Sequence, residues 1–304
     1  MTEKPLVSVI INCYNGEKYL REAIDSVIAQ TYENWELVFW DNQSTDSTRE
    51  IVESYNDARI NYILATSHTS LGEARNEAMK CIEGAFACFL DSDDVWEPDF
   101  LLSTVGILCK DVSVGLVYTS YKYIGQKEGT HKSGKEGIRD YSSLLEDYDV
   151  ALSGAVFRHS VQKDNNIWFD SSFNLIEDLD FFSKICLYKN AFHVGLPYLC
   201  YRIHENNLSS KTTQWYNEFK VFYDGLLALN SEGKDISRGV QAIKIRMINS
   251  LFIDSLNAND SFIKTFYYAC LANPFKTKLS YLLALVKKRF DIISIRFSNF
   301  KKKL

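Results

Sequence analysis

No stretch of this 304-residue chain reaches the roughly 18 consecutive apolar residues needed to span a bilayer. The opening MTEKPLVSVIINCYN likewise lacks the basic region and cleavable apolar segment of a secretory leader. The expectation is a cytoplasmic protein, neither secreted nor integral. Cysteine is present but unpatterned: Cys13, Cys81, Cys88, Cys109, Cys186, Cys200 and Cys270 include no C-x-x-C pair and are odd in number. That tells against a disulfide framework or a zinc site and predicts reduced thiols, mostly in the core. Excess positive charge is absent too: Lys+Arg total 34 against 39 Asp+Glu, a net charge of −5 that argues against nucleic-acid binding. Glycine and proline nowhere gather into a linker, and there is no internal repeat or low-complexity tract. What remains is an ordinary globular composition, 46% hydrophobic and 24% charged, on a chain long enough for one large domain or two.

The charge is unevenly spread. From Lys264 to Leu304 ten Lys and Arg face a single acid, Asp291, so a body near −14 carries a tail near +9. The tail interleaves aromatic and aliphatic residues with lysines. Such a pattern suits a basic amphipathic segment lying on an anionic membrane surface, or equally a helical bundle with a solvated lysine face.

The first hundred residues alternate between two periods. LVSVII (6–11) is a continuous β-rich run, which predicts a buried strand, and WELVFW (35–40), INYILA (60–65) and FACFL (86–90) predict three more strands. Between them, KYLREAIDSVIAQ (18–30) carries apolar pairs at helical spacing, Ser47 and Glu50 suggest a capping box before REIVESY, and SLGEARNEAMKCIE (70–83) places Leu71, Ala74, Ala78 and Ile82 on one side. Strand–helix alternation with short loops predicts a mostly parallel, Rossmann-like sheet flanked by helices. Farther on, a helix is expected near 97–110, a strand at 114–124, a mobile loop at 125–140, and a helix at LDFFSKICLY. From about residue 214 the chain becomes mainly helical.

Three of the four early strands end in polar residues: Asn12-Cys13-Tyr14-Asn15, Asp41-Asn42 and Asp91-Ser92-Asp93. In an open parallel sheet ligands bind beyond the carboxyl ends of the strands, so these residues are expected on one rim. An Asp-x-Asp triplet alone says little. The chain has two more, Asp147-Tyr148-Asp149 and Asp178-Leu179-Asp180, and any one could be a solvated acidic loop. Only the first follows a core strand of this sheet, where carboxylates can hold Mg²⁺ or Mn²⁺ against a diphosphate and neutralise a departing phosphate.

PLVSVIINCYNGEKYLREAIDSVIAQTYENWELVFWDNQSTDST, followed by SLGEARNEAM and FLDSDDVWEPDFL, resembles the nucleotide-sugar-binding half of family 2 glycosyltransferases. The match runs from Pro5 to about Leu102, is weaker over 151–210, and stops near 215. The resemblance implies an A-type glycosyltransferase fold and inversion at the anomeric centre. It divides the chain into a nucleotide-sugar-binding half (1–102), an acceptor-binding half (103–213) and a C-terminal helical region with the basic tail (214–304). It also implies site residues. Asn12, where the family commonly has Pro or Thr, and Tyr14 would line the base and ribose pocket. Asp41 would meet the nucleobase edge, typically uracil, and Arg75 the nucleotide or diphosphate. Asp91 and Ser92 would serve the donor, with Asp91 in the ribose contact or the metal's shell and Asp93 on the metal, Mn²⁺ or Mg²⁺. His204, in YRIHENNLS, would approach the metal or the diphosphate.

Inverting transfer needs a base to take the acceptor hydroxyl's proton. The Glu177-Asp178 pair in NLIEDLDFF matches the family's Glu-Asp motif, with Asp178 as base and Glu177 in a supporting role. A second Glu-Asp pair, Glu146-Asp147, lacks the helix that follows the first. Trp96, Trp168 and the Ser153-Gly154 loop fall where the family binds its acceptor, although core packing is the default for both tryptophans. The activity expected is metal-dependent transfer from a nucleotide-diphosphate sugar, typically a UDP-sugar, to a hydroxyl of a glycan or lipid-linked glycan, as in bacterial surface polysaccharide synthesis. A lipid-linked acceptor would place the enzyme peripherally on the inner face of the cytoplasmic membrane. The rivals are a non-catalytic nucleotide-sugar-binding or membrane-recruited scaffold, against which the intact acidic pairs tell, and a nucleotidyltransferase. The latter would show a Gly- and Lys/Arg-rich phosphate loop after the first strand, and NCYNGEKYL is a poor one.

Overall fold

Each of the four early β-rich runs forms a strand in the computed structural model, which describes residues 4–131, 134–205, 207, 215–231 and 236–257. Strands β1 (Val7–Cys13), β2 (Trp35–Asp41), β3 (Ile60–Leu64) and β4 (Phe86–Phe89) alternate with helices α1 (Leu20–Ile28), α2 (Thr48–Glu53) and α3 (Leu71–Met79). Then follow β5 (Val95–Trp96), α4 (Phe100–Lys110), β6 (Val114–Gly125), β7 (Gly129–His131), β8 (Gly137–Arg139) and α5 (Tyr141–Glu146). The remaining elements are β9 (Ala155–Arg158), α6 (His159–Asp164), α7 (Glu177–Cys186), β10 (Asn190–Ile203), α8 (Trp215–Ser231) and α9 (Ser237–Asn257). One sheet runs β3-β2-β1-β4-β9-β6-β10-β5, with β7 on β6 and β8 on β10.

The expected parallel sheet is parallel through β3, β2, β1 and β4. Beyond β4 it is mixed, because β9 inserts antiparallel between β4 and β6, while β6 and β10 pair in parallel. Register brings the strand ends level: Asn12 lies opposite Trp40 and Cys13 opposite Asp41, while Ile10 lies opposite Phe89. The residues after β1, β2 and β4 thus emerge at one edge. Alternation along β1 sends Val7, Val9 and Ile11 to a core with α1 and α4, and Ile10 to a second core with α3 and α7. In the second core Phe169 stacks on Phe181 at 4.2 Å, and Phe89 meets both rings edge-on.

Two local expectations are corrected. Ser47 makes no side-chain capping bond to α2. The Thr48 N–H instead donates to Asp46 Oδ1 at 3.0 Å, and the Ser47 N–H, which a capping box would give to Glu50, donates to Glu17 in the neighbouring loop at 3.0 Å. The reciprocal capping box forms at α3, between Ser70 and Glu73. Residues 125–140, expected as a loop, contain β7 and β8, which pair with β6 and β10 and cover edges those long strands would otherwise expose.

The chain divides into two compact units, residues 1–210 with 235–239, and residues 211–234 with 240–304. The second unit holds α8 and all but the start of α9. The basic tail from Lys264 lies outside the described residues. Among those described, no helix is long and apolar enough to cross a membrane, and the six cysteines, four of them buried, are free.

Candidate active site

The loops after β1 and β2 are fastened to each other. Asn15, at φ 56°, donates its N–H to Ser44 Oγ at 3.0 Å, and its side-chain oxygen accepts from the Thr45 N–H at 2.8 Å. The Gly16 N–H donates to Thr48 Oγ1, and the Glu17 N–H to Asp46, both at 3.0 Å. Gly16 has no room for a side chain, because a Cβ would stand 2.4 Å from Cys13 Sγ and 3.2 Å from Ser92 Oγ. Ser92 of the β4 loop therefore packs into the β1 turn. Burial pushes the Cys13 thiol up to about 12, so it is an inert packing group rather than a nucleophile.

Tyr14, half exposed, lies against His68 with ring centroids 4.4 Å apart, and His68 Nδ1 is 2.8 Å from the Asn42 carbonyl. The Asn42 side chain clamps Thr69 through a donated bond of 2.9 Å and an accepted one of 3.1 Å. Asp41 is almost wholly buried. One oxygen accepts from the Ser44 N–H and the other from the Tyr62 hydroxyl, each at 2.7 Å, so it shapes the floor beneath this loop. Asn12 differs: both polar atoms of its side chain are buried with no hydrogen-bond partner among the described residues. Leaving an amide so costs about 1–3 kcal/mol, which a ligand at the end of β1 would recover.

The acidic loop is built around two cations. The Arg75 guanidinium, buried on α3 and lying 5.4 Å over the Phe169 ring, pairs with Glu177 on α7 and reaches Asp91 Oδ1 at 3.3 Å. Arg202, near the end of β10, donates Nε–H to the Asp93 carbonyl at 2.7 Å and its backbone N–H to Asp94 Oδ1 at 2.9 Å. Asp94 is thus a buried anchor, with a pKa pushed well above the usual carboxylate range by burial and then by Asp91 and Asp93. The Asp91 N–H donates to Ser153 Oγ at 3.1 Å, and Trp96 donates to the Ser153 carbonyl at 2.6 Å, which makes Trp96 a core residue that steadies this turn. Trp168, half-buried, donates to Asn166 at 2.7 Å. In the other Asp-x-Asp triplets the second aspartate has a partner elsewhere: Asp180 pairs with Lys184 at 2.6 Å, and Asp149 lies 3.8 Å from His131.

Asp178 stands in the first turn of α7. Burial pushes its carboxyl up to about 7; the bond from the Leu179 N–H opposes this, Glu177 adds to it, Arg75 opposes it and Asp91 adds to it. Arg75, Glu177 and Asp91 thus all bear on its charge. A helix N-terminus favours the ionised form by about 0.3–1 kcal/mol, and here burial prevails. The result is a carboxylate poised near neutrality, which a general base needs.

His204 Nε2 is 2.7 Å from Asp93 Oδ2. Among the described residues no group of three or more His, Cys, Asp or Glu is arranged to hold a metal unaided. At this distance the two are hydrogen-bonded to each other; a carboxylate oxygen and an unprotonated imidazole nitrogen are donor types that would hold a divalent cation once that proton left and a ligand's oxygens completed the shell. Imidazole beside carboxylate suits Mn²⁺ better than Mg²⁺.

The model of the family described as Glycosyl transferase family 2 matches residues 8–174. The chain belongs to that family. This glycosyltransferase is 29% identical over 225 residues to the UDP-Glc:alpha-D-GlcNAc-diphosphoundecaprenol beta-1,3-glucosyltransferase WfgD of Escherichia coli, covering 73% of this chain and 85% of the relative. Among solved structures it is similar to S. aureus TarS 1–349 in complex with UDP-GlcNAc, with TM-score 0.70, 22% identity, and coverage of 86% of this chain and 79% of that one. It is also similar to the mannosyltransferase PcManGT of Pyrobaculum calidifontis in complex with GDP-Man and Mn²⁺, with TM-score 0.59, 19% identity, and coverage of 95% and 88%. At these identities the structures establish the fold. The glycosyltransferase links Arg75, Asp91 and Glu177 by ion pairs, with Asp178 following Glu177 in the first turn of α7, and sets Asp93 against His204, while Tyr14 and Asp41 border the loop held by Asn42. Sequence reasoning passed over His68 and Arg202. Arg202 was within reach, two positions before His204 in the same segment.

Proposed function

We propose that the glycosyltransferase moves a sugar from a UDP-sugar to a hydroxyl of a lipid-linked glycan, with inversion, in bacterial surface polysaccharide synthesis. The observation that carries this reading is the shared rim. Glu177, next to Asp178 in the first turn of α7, is tied through Arg75 to Asp91; in this reading Asp93, on the same loop as Asp91, and His204, just past the end of β10, make a two-donor cation site. In this reading Tyr14 and His68 flank the uracil, Asn12 satisfies its buried amide on the nucleoside, and Asp41 holds the pocket floor. Asp91 and Ser92 face the donor, and Arg75 sets the Asp91 carboxylate beside the diphosphate. The cation, Mn²⁺ for this donor set, would neutralise charge on the departing diphosphate. Asp178 takes the acceptor hydroxyl's proton as the new bond to the anomeric carbon forms and the bond to the diphosphate oxygen breaks. Glu177, neutralised by Arg75, fixes the start of α7 and hence Asp178. The name of the E. coli relative specifies a UDP-glucose donor and a diphosphoundecaprenol-linked acceptor, which supports the choice of substrate class.

Calorimetric titration with UDP and GDP, in Mn²⁺ and in EDTA, tests this on the wild type and Asp93→Asn. UDP binding that needs Mn²⁺ and is weakened at least tenfold by the substitution is expected. Absence of nucleotide binding in every condition would overturn the catalytic reading.

A further inference from the structure

We infer that Arg202 is the positioning residue of the Asp93–His204 cation site and that Glu22 is its counter-charge; the inference rests on the cation reading above. Three of Arg202's groups are committed. Nε–H holds the Asp93 carbonyl at 2.7 Å, the backbone N–H holds Asp94 Oδ1 at 2.9 Å, and NH2 donates to Glu22 Oε2 at 2.7 Å. The guanidinium also lies 4.5 Å over the Tyr19 ring, which in turn sits 5.4 Å from the His204 ring. One side chain thereby touches the backbone of one cation ligand and packs on the ring that packs on the other. Nothing in the sequence of the acidic loop itself directs Asp93 toward β10, and this fork does so.

A fixed positive charge next to a divalent cation site is itself a liability. Glu22 in the first turn of α1 answers it, since it pairs with the guanidinium through Nη2 at 2.7 Å and is favoured at a helix N-terminus. Arg202 is nearly buried and Glu22 is 57% exposed, so the pair is anchored at its functional end and open to solvent at the other. Glu22 can therefore be changed with little risk to folding.

The test is Mn²⁺ affinity of the full chain in saturating UDP, read by loss of the aqueous Mn²⁺ paramagnetic signal, for wild type, Arg202→Met, Arg202→Lys and Glu22→Gln. Partners that orient a metal's ligands typically contribute about 10–100-fold to its affinity. Arg202→Met is expected to weaken Mn²⁺ binding by about that factor. Arg202→Lys is expected to recover part of it, since one ammonium can satisfy Asp93 or Glu22 but not both in fork geometry. Glu22→Gln is expected to cost a smaller factor that shrinks with added salt. Wild-type affinity in Arg202→Met, or in Glu22→Gln at low salt if the Met variant does not fold, overturns the brace alone. Failure of the wild type to bind Mn²⁺ with UDP overturns the reading beneath it as well.

Discussion

At the scale of the residue, the proposed role of Asp178 asks two incompatible things of it. As the base its carboxyl would have to be ionised to accept a proton, yet burial holds the pKa near 7 against an ordinary 3.8. Because the folded value is raised, the native protein takes up a proton that the unfolded chain has already released between about pH 4 and pH 7, so stability falls as pH rises across that window. Asp178→Asn removes that ionisation along with the base. Transfer is expected to fall by about 100- to 10,000-fold, while the melting temperature at pH 8 equals or exceeds that of the wild type. The wild-type rate is expected to climb with pH through about 7, and a profile flat from pH 5.5 to 8.5 would move the base to another group. Asn12 makes the complementary case: its unsatisfied amide is a polar cost left in place, and a site is where such a cost has a return.

Among elements, the decisive contact is the one Arg75 makes from α3 to the β4 loop and to α7. Arg75→Met would strand the Glu177 carboxylate, which is 7% exposed, whereas Asp91 at 42% could keep much of its hydration. Breaking a buried pair by removing one partner costs about 3–5 kcal/mol. Urea unfolding of Arg75→Met is expected to show a loss in that range, with part regained in the double variant carrying Glu177→Gln. A loss under about 1 kcal/mol would mean that Glu177 rehydrates by local opening of α7. This contact also marks the limit of what the sequence discloses. The strands were legible because each is a short run dominated by β-branched, aliphatic and aromatic residues, and the shared rim followed from their parallel order. The pairing of Arg75 with Glu177 was not, since 102 positions separate them and no local period records it. Ser47 and Glu50 carried the letters of a capping box, but Asp46 takes the Thr48 N–H and Glu17 the Ser47 N–H. Residues 125–140 looked like a loop because β7 and β8 have three residues each, too short to show alternation, and form only as cover for β6 and β10.

For the molecule as a whole, the question is why an acidic enzyme ends in a basic segment. Residues 287–304 hold seven Lys and Arg against Asp291 alone, on a background of Phe, Ile and Leu. If the acceptor hangs from a lipid carrier, each encounter requires the site to be near a surface, and an anionic surface attracts each nearby basic residue by about 1 kcal/mol. Even a quarter of the net six charges acting at full strength amounts to about 1.5 kcal/mol, or roughly tenfold in partitioning. Removal of 287–304 is therefore expected to lower co-sedimentation with phosphatidylglycerol vesicles by at least about tenfold at low salt. The UDP binding proposed for the rim should be the same with and without the segment, and the gap between the 304-residue chain and its truncated form should close as salt rises. Equal sedimentation of the two would assign the tail's lysines to solvent and its aromatics to packing, and would leave recruitment to the acceptor alone.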